Sequence, residues 1–314
     1  MQFIVTSAVK YLMMKNNTLI YVAGPTSIGK TKFSIELAKK FNTEILSCDS
    51  RQFYKEISIG TGAPSKEELS EIKHHFIQHK SVRDMYTVGD FEKEIINKTN
   101  KLFKNNQTLI MVGGSGMYAD AVMFGLDKFP KVSNETRKQI NYFYKAHGLK
   151  SLQKLLYQKD PIYFNVVDKN NPVRLIRALE ISISSGQPYS SFLGKSSKKR
   201  DFVSKMILLQ CPREKLYDKI NKRVDLMLEK GLKEEAFGLI KYKNLTPLKT
   251  IGYKELFNHF DGKLSLDDAV NEIKKNTRRF AKKQITWFKK YDNALKYSFK
   301  KPAFEVFDLL NDSK

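Results

Sequence analysis

Residues 18–23, TLIYVA, form an unbroken apolar run. Continuous rather than alternating hydrophobicity predicts a strand buried on both faces, as in a parallel sheet covered by helices. A glycine-rich loop follows, and KTKFSIELAKKF then sets Phe33, Leu37 and Phe41 on one helical face. TEILSCDS (43–50) predicts a second short strand ending on Asp49. QTLIMVGGSGMY (107–118) predicts a third, running into a second glycine turn. Strands alternating with helices predict an α/β fold with a parallel sheet and helices on both faces.

After about Gly125 the pattern changes to a helical period. Ile140, Phe143 and Tyr144, then Leu152, Leu155 and Leu156, then Val173, Ile176, Leu179 and Ile183 recur at helix spacing over 131–185. SSGQPYSSFLGKSSKKRD (184–201) is polar and turn-rich and reads as a linker, and FVSKMILLQC (202–211) returns to strand character. From 213 onward the chain reads as helical. The expected organisation is an N-terminal tail (1–17), a catalytic core from 18–125 and 202–314, and a helical insertion (126–201).

GPTSIGKT (24–31) matches G-x-x-x-x-G-K-[ST] through Gly24, Gly29, Lys30 and Thr31. Pro25, Thr26, Ser27 and Ile28 complete the loop. A strand precedes it and a helix follows, which is the context the motif needs, and the core is therefore expected to be of the P-loop type. Backbone N–H groups converge on phosphate oxygens there, Lys30 neutralises charge, and Thr31 can ligate a metal ion. The identity of the phosphate stays open. TLIMVGG ends in glycines, so only Asp49 offers an acid at a strand end. Asp49 can support a metal or act as a general base, and the carboxyl edge of such a sheet is where ligands bind. Ser115, in GGSGMY, can contact a second anion or a nucleotide. His74, His75 and His79 lack carboxylate or Cys partners at metal spacing and read as structural.

Charge enlarges this picture. Lys plus Arg is 56 against 33 Asp plus Glu, a net +23. That excess favours a polyanionic partner, nucleic acid before membrane. In DDAVNEIKKNTRRFAKKQITWFKK (267–290), Lys274, Arg278 and Lys282 form one i,i+4 row and Lys275, Arg279 and Lys283 another, with no acid from 273 to 290. Val270, Ile273, Thr277, Phe280, Gln284 and Phe288 are expected on the packed side. Arg174 and Arg177 share a helix face, and Arg213 opens a helix straight after a strand. No apolar run approaches the ~18 residues of a membrane span. Cys48 and Cys211 read as buried thiols and point to a reducing, cytoplasmic setting.

Taken in order, GPTSIGKT, DSRQFY, IGTGAP, HHF, VGGSGMY, NPVRLIRALEI, TIGYKEL and TRRFAKKQITWF resemble the bacterial tRNA dimethylallyltransferases, from about residue 18 to about 292. The resemblance implies transfer of a dimethylallyl group from dimethylallyl diphosphate to N6 of the tRNA adenosine just 3′ of the anticodon. Mg²⁺ assists and diphosphate leaves. Asp49 matches the base; Lys30, Thr31 and Arg213 would stabilise the leaving group. Asp49, Ser50, Arg51 and Gln52 match the stretch that meets the tRNA base. Ser115 and Arg137 match tRNA contacts, as do Val173, Arg174, Leu175, Ile176 and Arg177, then Gly252 and Tyr253, then Lys282, Lys283, Gln284 and Trp287. The implied partner is the tRNA anticodon stem-loop, met by a monomer with no membrane and no stable protein partner. Ser58, Gly62-Ala63, Gln78 and Val173 depart from the family's usual residues. A nucleotide kinase, an adenylate isopentenyltransferase and a non-catalytic RNA-binding protein are the competing readings.

Overall fold

The computed structural model describes residues 17–194 and 199–306. Most of the expected N-terminal tail therefore lies outside the described residues. Six strands, β1 (Thr18–Ala23), β2 (Ile45–Ser47), β3 (His74–His75), β4 (Thr108–Val112), β5 (Val203–Gln210) and β6 (Leu295–Ser298), form one sheet in the order β3-β2-β4-β1-β5-β6. Every pairing is parallel, with Thr18 opposite both Thr108 and Val203.

The apolar run of β1 is explained by burial on two faces. Leu19 and Tyr21 join one hydrophobic core, Ile20 and Val22 the other. Each such side chain contributes roughly 1.5–3 kcal/mol on burial. The second core is closed by α1 (Lys30–Phe41), through Phe33, Ile35 and Leu37. Two short helices follow, α2 (Ser58–Thr61) and α3 (Lys66–Glu71), then α4 (Val88–Leu102) and α5 (Gly116–Met123). Phe91 and Ile95 of α4 and Ala119 and Val122 of α5 pack in the first core.

Residues 124–199 form a second compact unit with its own core. Its helices are α6 (Asn134–Lys159, broken at Gly148), α7 (Pro161–Val166) and α8 (Pro172–Ser185). Leu152, Leu156, Leu175 and Leu179 are fully buried between them. Asp160 is also fully buried and is completely used. It caps α7 through Tyr163 N (2.9 Å) and accepts from Ser190 N and Oγ at 2.6 and 2.9 Å. The stretch expected as a linker is thus partly structured, with a 3₁₀ turn at Tyr189–Phe192; residues 195–198 lie outside the described residues.

The chain re-enters the first unit at Arg200, whose guanidinium donates to the Ala121 carbonyl (2.5 Å) and pairs with Glu92 (2.8 Å). After β5 come α9 (Arg213–Glu229), α10 (Leu232–Gly238), α11 (Tyr253–Phe260) and α12 (Leu266–Phe288). Two strands were not visible in the sequence pattern. β6 interrupts the segment expected to be wholly helical, and its four residues LKYS pair only with β5 at the sheet edge. β3 is two residues long. Neither is long enough to establish a period.

Candidate active site

The loop between β1 and α1 is built from unusual backbone angles. Gly24 (φ 149°), Ser27 (φ 63°) and Gly29 (φ 105°) all lie in the left-handed half of φ space. At Gly24 a side chain would also crowd Leu209, whose carbonyl oxygen would sit 3.2 Å from a Cβ. Gly29 leaves the first turn of α1 without a side-chain cap, so its N–H groups are available to an anion. Among the described residues Ser27 Oγ is buried with no hydrogen-bond partner, a donor that suits a phosphate oxygen. Lys30 Nζ folds back onto the Gly24 and Pro25 carbonyls at 3.0 and 2.9 Å. Burial lowers its pKa to about 8, against the raising effect of Asp49 and with a further lowering by Arg223.

A cavity of about 790 Å³ opens on this loop. Thr26, Ser27, Gly29, Lys30 and Thr31 line it, and so do Asp49, Ser50, Arg51, Gln52, Ser115, Gly252, Lys283, Gln284 and Trp287. Fourteen predicted residues, scattered over the sequence, therefore converge on one space in the first unit. Asp49 follows β2, at the carboxyl edge of the sheet. Its carboxylate accepts the Arg51 N–H at 3.1 Å, which fixes its direction. Ser115 Oγ takes the Ser50 N–H at 3.0 Å and stands 3.0 Å from Ser50 Oγ, joining the two strand-end loops. Gly113 allows this closeness, since a Cβ there would lie 2.6 Å from Cys48 Sγ.

Arg213 does not join this group. Its Nε donates to the Tyr217 hydroxyl at 2.8 Å on the exposed side of α9. The arginine that α9 brings to the cavity is Arg223, which the sequence reading missed. Leu216, Ile220 and Val224 are the buried stripe of α9; Arg213 stands three before Leu216 and Arg223 three after Ile220, so helical spacing alone did not separate the two. Arg223 donates to Thr26 Oγ1 (3.4 Å) and to the Thr61 carbonyl (3.2 Å). Among the described residues it has no ion-pair partner. Burial pushes its pKa down, opposed by Asp49 and Glu68. A guanidinium with only neutral partners is suited to a phosphate.

Other predicted tRNA contacts are turned inward. Gln284 is buried; its carbonyl accepts the Thr26 N–H and its amide donates to the Gly114 carbonyl, both at 2.9 Å. Tyr253 is fully buried and hydrogen-bonds Glu235. Leu175 is fully buried in the core of the second unit, because position 175 falls on the inner face of α8. In that unit Arg137, Val173, Arg174 and Arg177 are exposed and Ile176 is half-buried. Trp287 is half open to the cavity, and Gly116 gives it room: a Cβ there would lie 2.0 Å from Trp287 Nε1.

The basic rows of α12 divide. Lys274 pairs with Asp225 (2.6 Å), Arg278 bonds Asn221 Oδ1 (2.7 Å) and Lys275 pairs with Glu272. Acids and amides from α9, invisible in the local sequence, supply most of these partners. Arg279, Lys282 and Lys283 remain exposed and border a second recess with Lys249 and Lys254. Phe280, expected on the packed side, is 42% exposed and lines both spaces. Cys48 is buried and Cys211 only partly so; both are free thiols. Among the described residues no helix is long and apolar enough to cross a membrane.

A phosphate loop opening with Lys30, Arg223 and Asp49 on one cavity at the carboxyl edge of a parallel sheet defines a P-loop-type α/β protein. Comparison with known proteins narrows this class. The sequence profile described as IPP transferase matches residues 52–291. The chain is 52% identical over 295 residues to the tRNA dimethylallyltransferase of Christiangramia forsetii, covering 94% of this chain and 98% of that one. Among solved structures, the tRNA isopentenylpyrophosphate transferase of Bacillus halodurans superposes with a TM-score of 0.69 at 33% identity, covering 94% of this chain and 96% of that one. A eukaryotic dimethylallyltransferase acting on tRNA superposes with a TM-score of 0.80 at 25% identity, covering 94% of this chain and 79% of that one. The chain belongs to the IPP transferase family.

Proposed function

We propose that this chain transfers the dimethylallyl group of dimethylallyl diphosphate to N6 of the tRNA adenosine 3′ to the anticodon. The observation that carries the reading is the convergence of Lys30, Arg223 and Asp49 on one cavity. Lys30 and Arg223 suit a diphosphate. A carboxylate beside them suits a proton acceptor.

In this reading the adenine N6 attacks the allylic carbon, and the bond from that carbon to the diphosphate oxygen breaks. Asp49 takes the N6 proton, which otherwise leaves a cationic amine; such general-base assistance contributes about 10²–10⁴-fold. Lys30, Arg223 and the loop amides stabilise the charge growing on the departing diphosphate. Ser50 and Ser115 hold the Asp49 strand end against the second glycine turn. The target adenosine has to leave its stack to reach a cavity of this kind.

The donor set fits Mg²⁺. No cluster of three His, Cys, Asp or Glu residues suited to a metal occurs among the described residues. Magnesium commonly needs only one or two protein oxygens beside substrate phosphates. Thr31 would hold it, with Asp49 the neighbouring carboxylate, and the ion would screen charge on the diphosphate. The same reading gives Arg279, Lys282 and Lys283, with the exposed arginines of the second unit, to the anticodon stem-loop backbone. It sets the protein to work in the cytoplasm, where free thiols persist.

The test is direct. The protein is incubated with Mg²⁺, dimethylallyl diphosphate and unmodified tRNA, and the digested nucleosides are weighed. Isopentenyladenosine from the position 3′ to the anticodon is the expected product. Absence of that product, with turnover of ATP in its place, would overturn the reading in favour of a kinase.

A further inference from the structure

Glu235, on α10, belongs to none of the motifs that carry the family resemblance. Its carboxylate joins one backbone turn to a buried tyrosine. Oε2 accepts the Ile59 N–H at 2.9 Å, and Oε1 accepts the Gly60 N–H at 3.1 Å and the Tyr253 hydroxyl at 2.5 Å. Gly60 has no room to move outward, because a Cβ there would stand 2.5 Å from that hydroxyl. The short helix α2 is therefore pinned at its start from α10 and α11.

Its other end touches the cation of the cavity. The Thr61 carbonyl accepts from Arg223 at 3.2 Å. Gly62 lies against the same guanidinium, where a Cβ would fall 1.8 Å from Nη2. Gln52 Nε2 fixes the Gly62 carbonyl at 3.0 Å. The second guanidinium nitrogen reaches Thr26 of the phosphate loop. An arginine on a long flexible stem has many rotamers, and this turn selects one of them.

We infer that Glu235 is a positioning residue: by holding two amides of the Ser58–Thr61 turn it sets the Thr61 carbonyl that aims Arg223 at the phosphate site. This rests on the transferase reading above, since Arg223 is taken there as a diphosphate contact. Misplacement by about 1 Å of a group that orients a substrate can lower rate about 10²-fold.

The experiment uses the full chain and two variants. Glu235→Gln keeps the volume but turns an NH₂ donor toward a peptide N–H. Tyr253→Phe keeps the ring beside Gly60 and removes only the hydroxyl. Inorganic diphosphate with Mg²⁺ and unmodified tRNA are titrated separately, and KM and kcat are measured for dimethylallyl diphosphate. Glu235→Gln should weaken diphosphate about tenfold and raise that KM, with tRNA affinity within about twofold; Tyr253→Phe should act in the same direction, about threefold. In an Arg223→Lys background the Glu235→Gln loss should largely vanish, the mark of two residues acting as a unit. Unchanged diphosphate affinity in a folded variant, or equal losses for diphosphate and tRNA, would overturn the inference. If Glu235→Gln does not fold, Tyr253→Phe decides by the same criteria. A parent protein that binds diphosphate yet makes no isopentenyladenosine sinks the transferase reading instead, and the Glu235 question is still answered by the diphosphate titration.

Discussion

The side-chain carbonyl of Gln284 accepts the backbone N–H of Thr26 at 2.9 Å, across 258 positions of sequence. Its amide spans to the Gly114 carbonyl at the same distance. One buried side chain on α12 thus joins the phosphate loop to the second glycine turn, and the helix that carries the basic surface also shapes the site.

Replacing Gln284 by Ala strands a donor and an acceptor at the cavity wall. A cost of about 1–3 kcal/mol for each unmet buried group sets the expected scale. We expect a lower melting temperature and a raised KM for the prenyl donor, read by thermal denaturation and steady-state kinetics. A melting curve and KM matching the parent would refute this bridging role.

Asp49→Asn preserves size and the bond from Arg51 while removing the proton acceptor. Transfer should fall by about 10²–10⁴-fold, while tRNA affinity by filter binding stays near that of the parent. Turnover within a few fold of the parent would remove Asp49 from the base role.

Lys30 gives a pH dependence with a defined sign. Its pKa in the free protein is lowered to about 8, chiefly by burial. Below that pH it is charged and ready for an anion. Above it the neutral form predominates, and diphosphate binding must take up a proton, so affinity should fall as pH rises past 8, by at most about tenfold per pH unit. Lys30→Met should bind weakly and lose this component, which separates it from ionisation of the ligand itself. Parallel pH profiles for the two proteins would contradict the assignment.

The two halves of the α12 stripe should separate experimentally. Arg279→Glu with Lys283→Glu should weaken tRNA binding and reduce the slope of log affinity against log salt by roughly 1.4–1.8, on a scale of about 0.7–0.9 per phosphate contact. Lys274→Ala, which opens a 2.6 Å pair with Asp225, should leave that slope almost unchanged. Equal slopes for all variants would make the stripe surface charge without a role.

Much of the core was legible because its signals are local. β1 announced itself by continuous burial, and the phosphate loop by glycines whose backbone angles no other residue adopts easily. Asp49 was legible as an acid at a strand end. What escaped depends on distant partners. Arg223 looks like any helical arginine until the Thr61 carbonyl is placed beside it, and Arg213 looked better from its position at a helix start. Lys274 and Arg278 read as free charge because Asp225 and Asn221 lie on another helix. The departures Ser58 and Gln78 looked unrelated in sequence, yet Gln78 Nε2 donates to Ser58 Oγ at 2.7 Å.

Arg200 binds the Ala121 carbonyl, so the first unit is stapled where the chain leaves it and where it returns. The 124–199 unit is therefore a detour from a closed circuit rather than a span between two separated points. A detour of this kind can be lengthened, shortened or exchanged in evolution without re-registering the sheet. The inserted unit and the sheet core can then diversify on separate clocks.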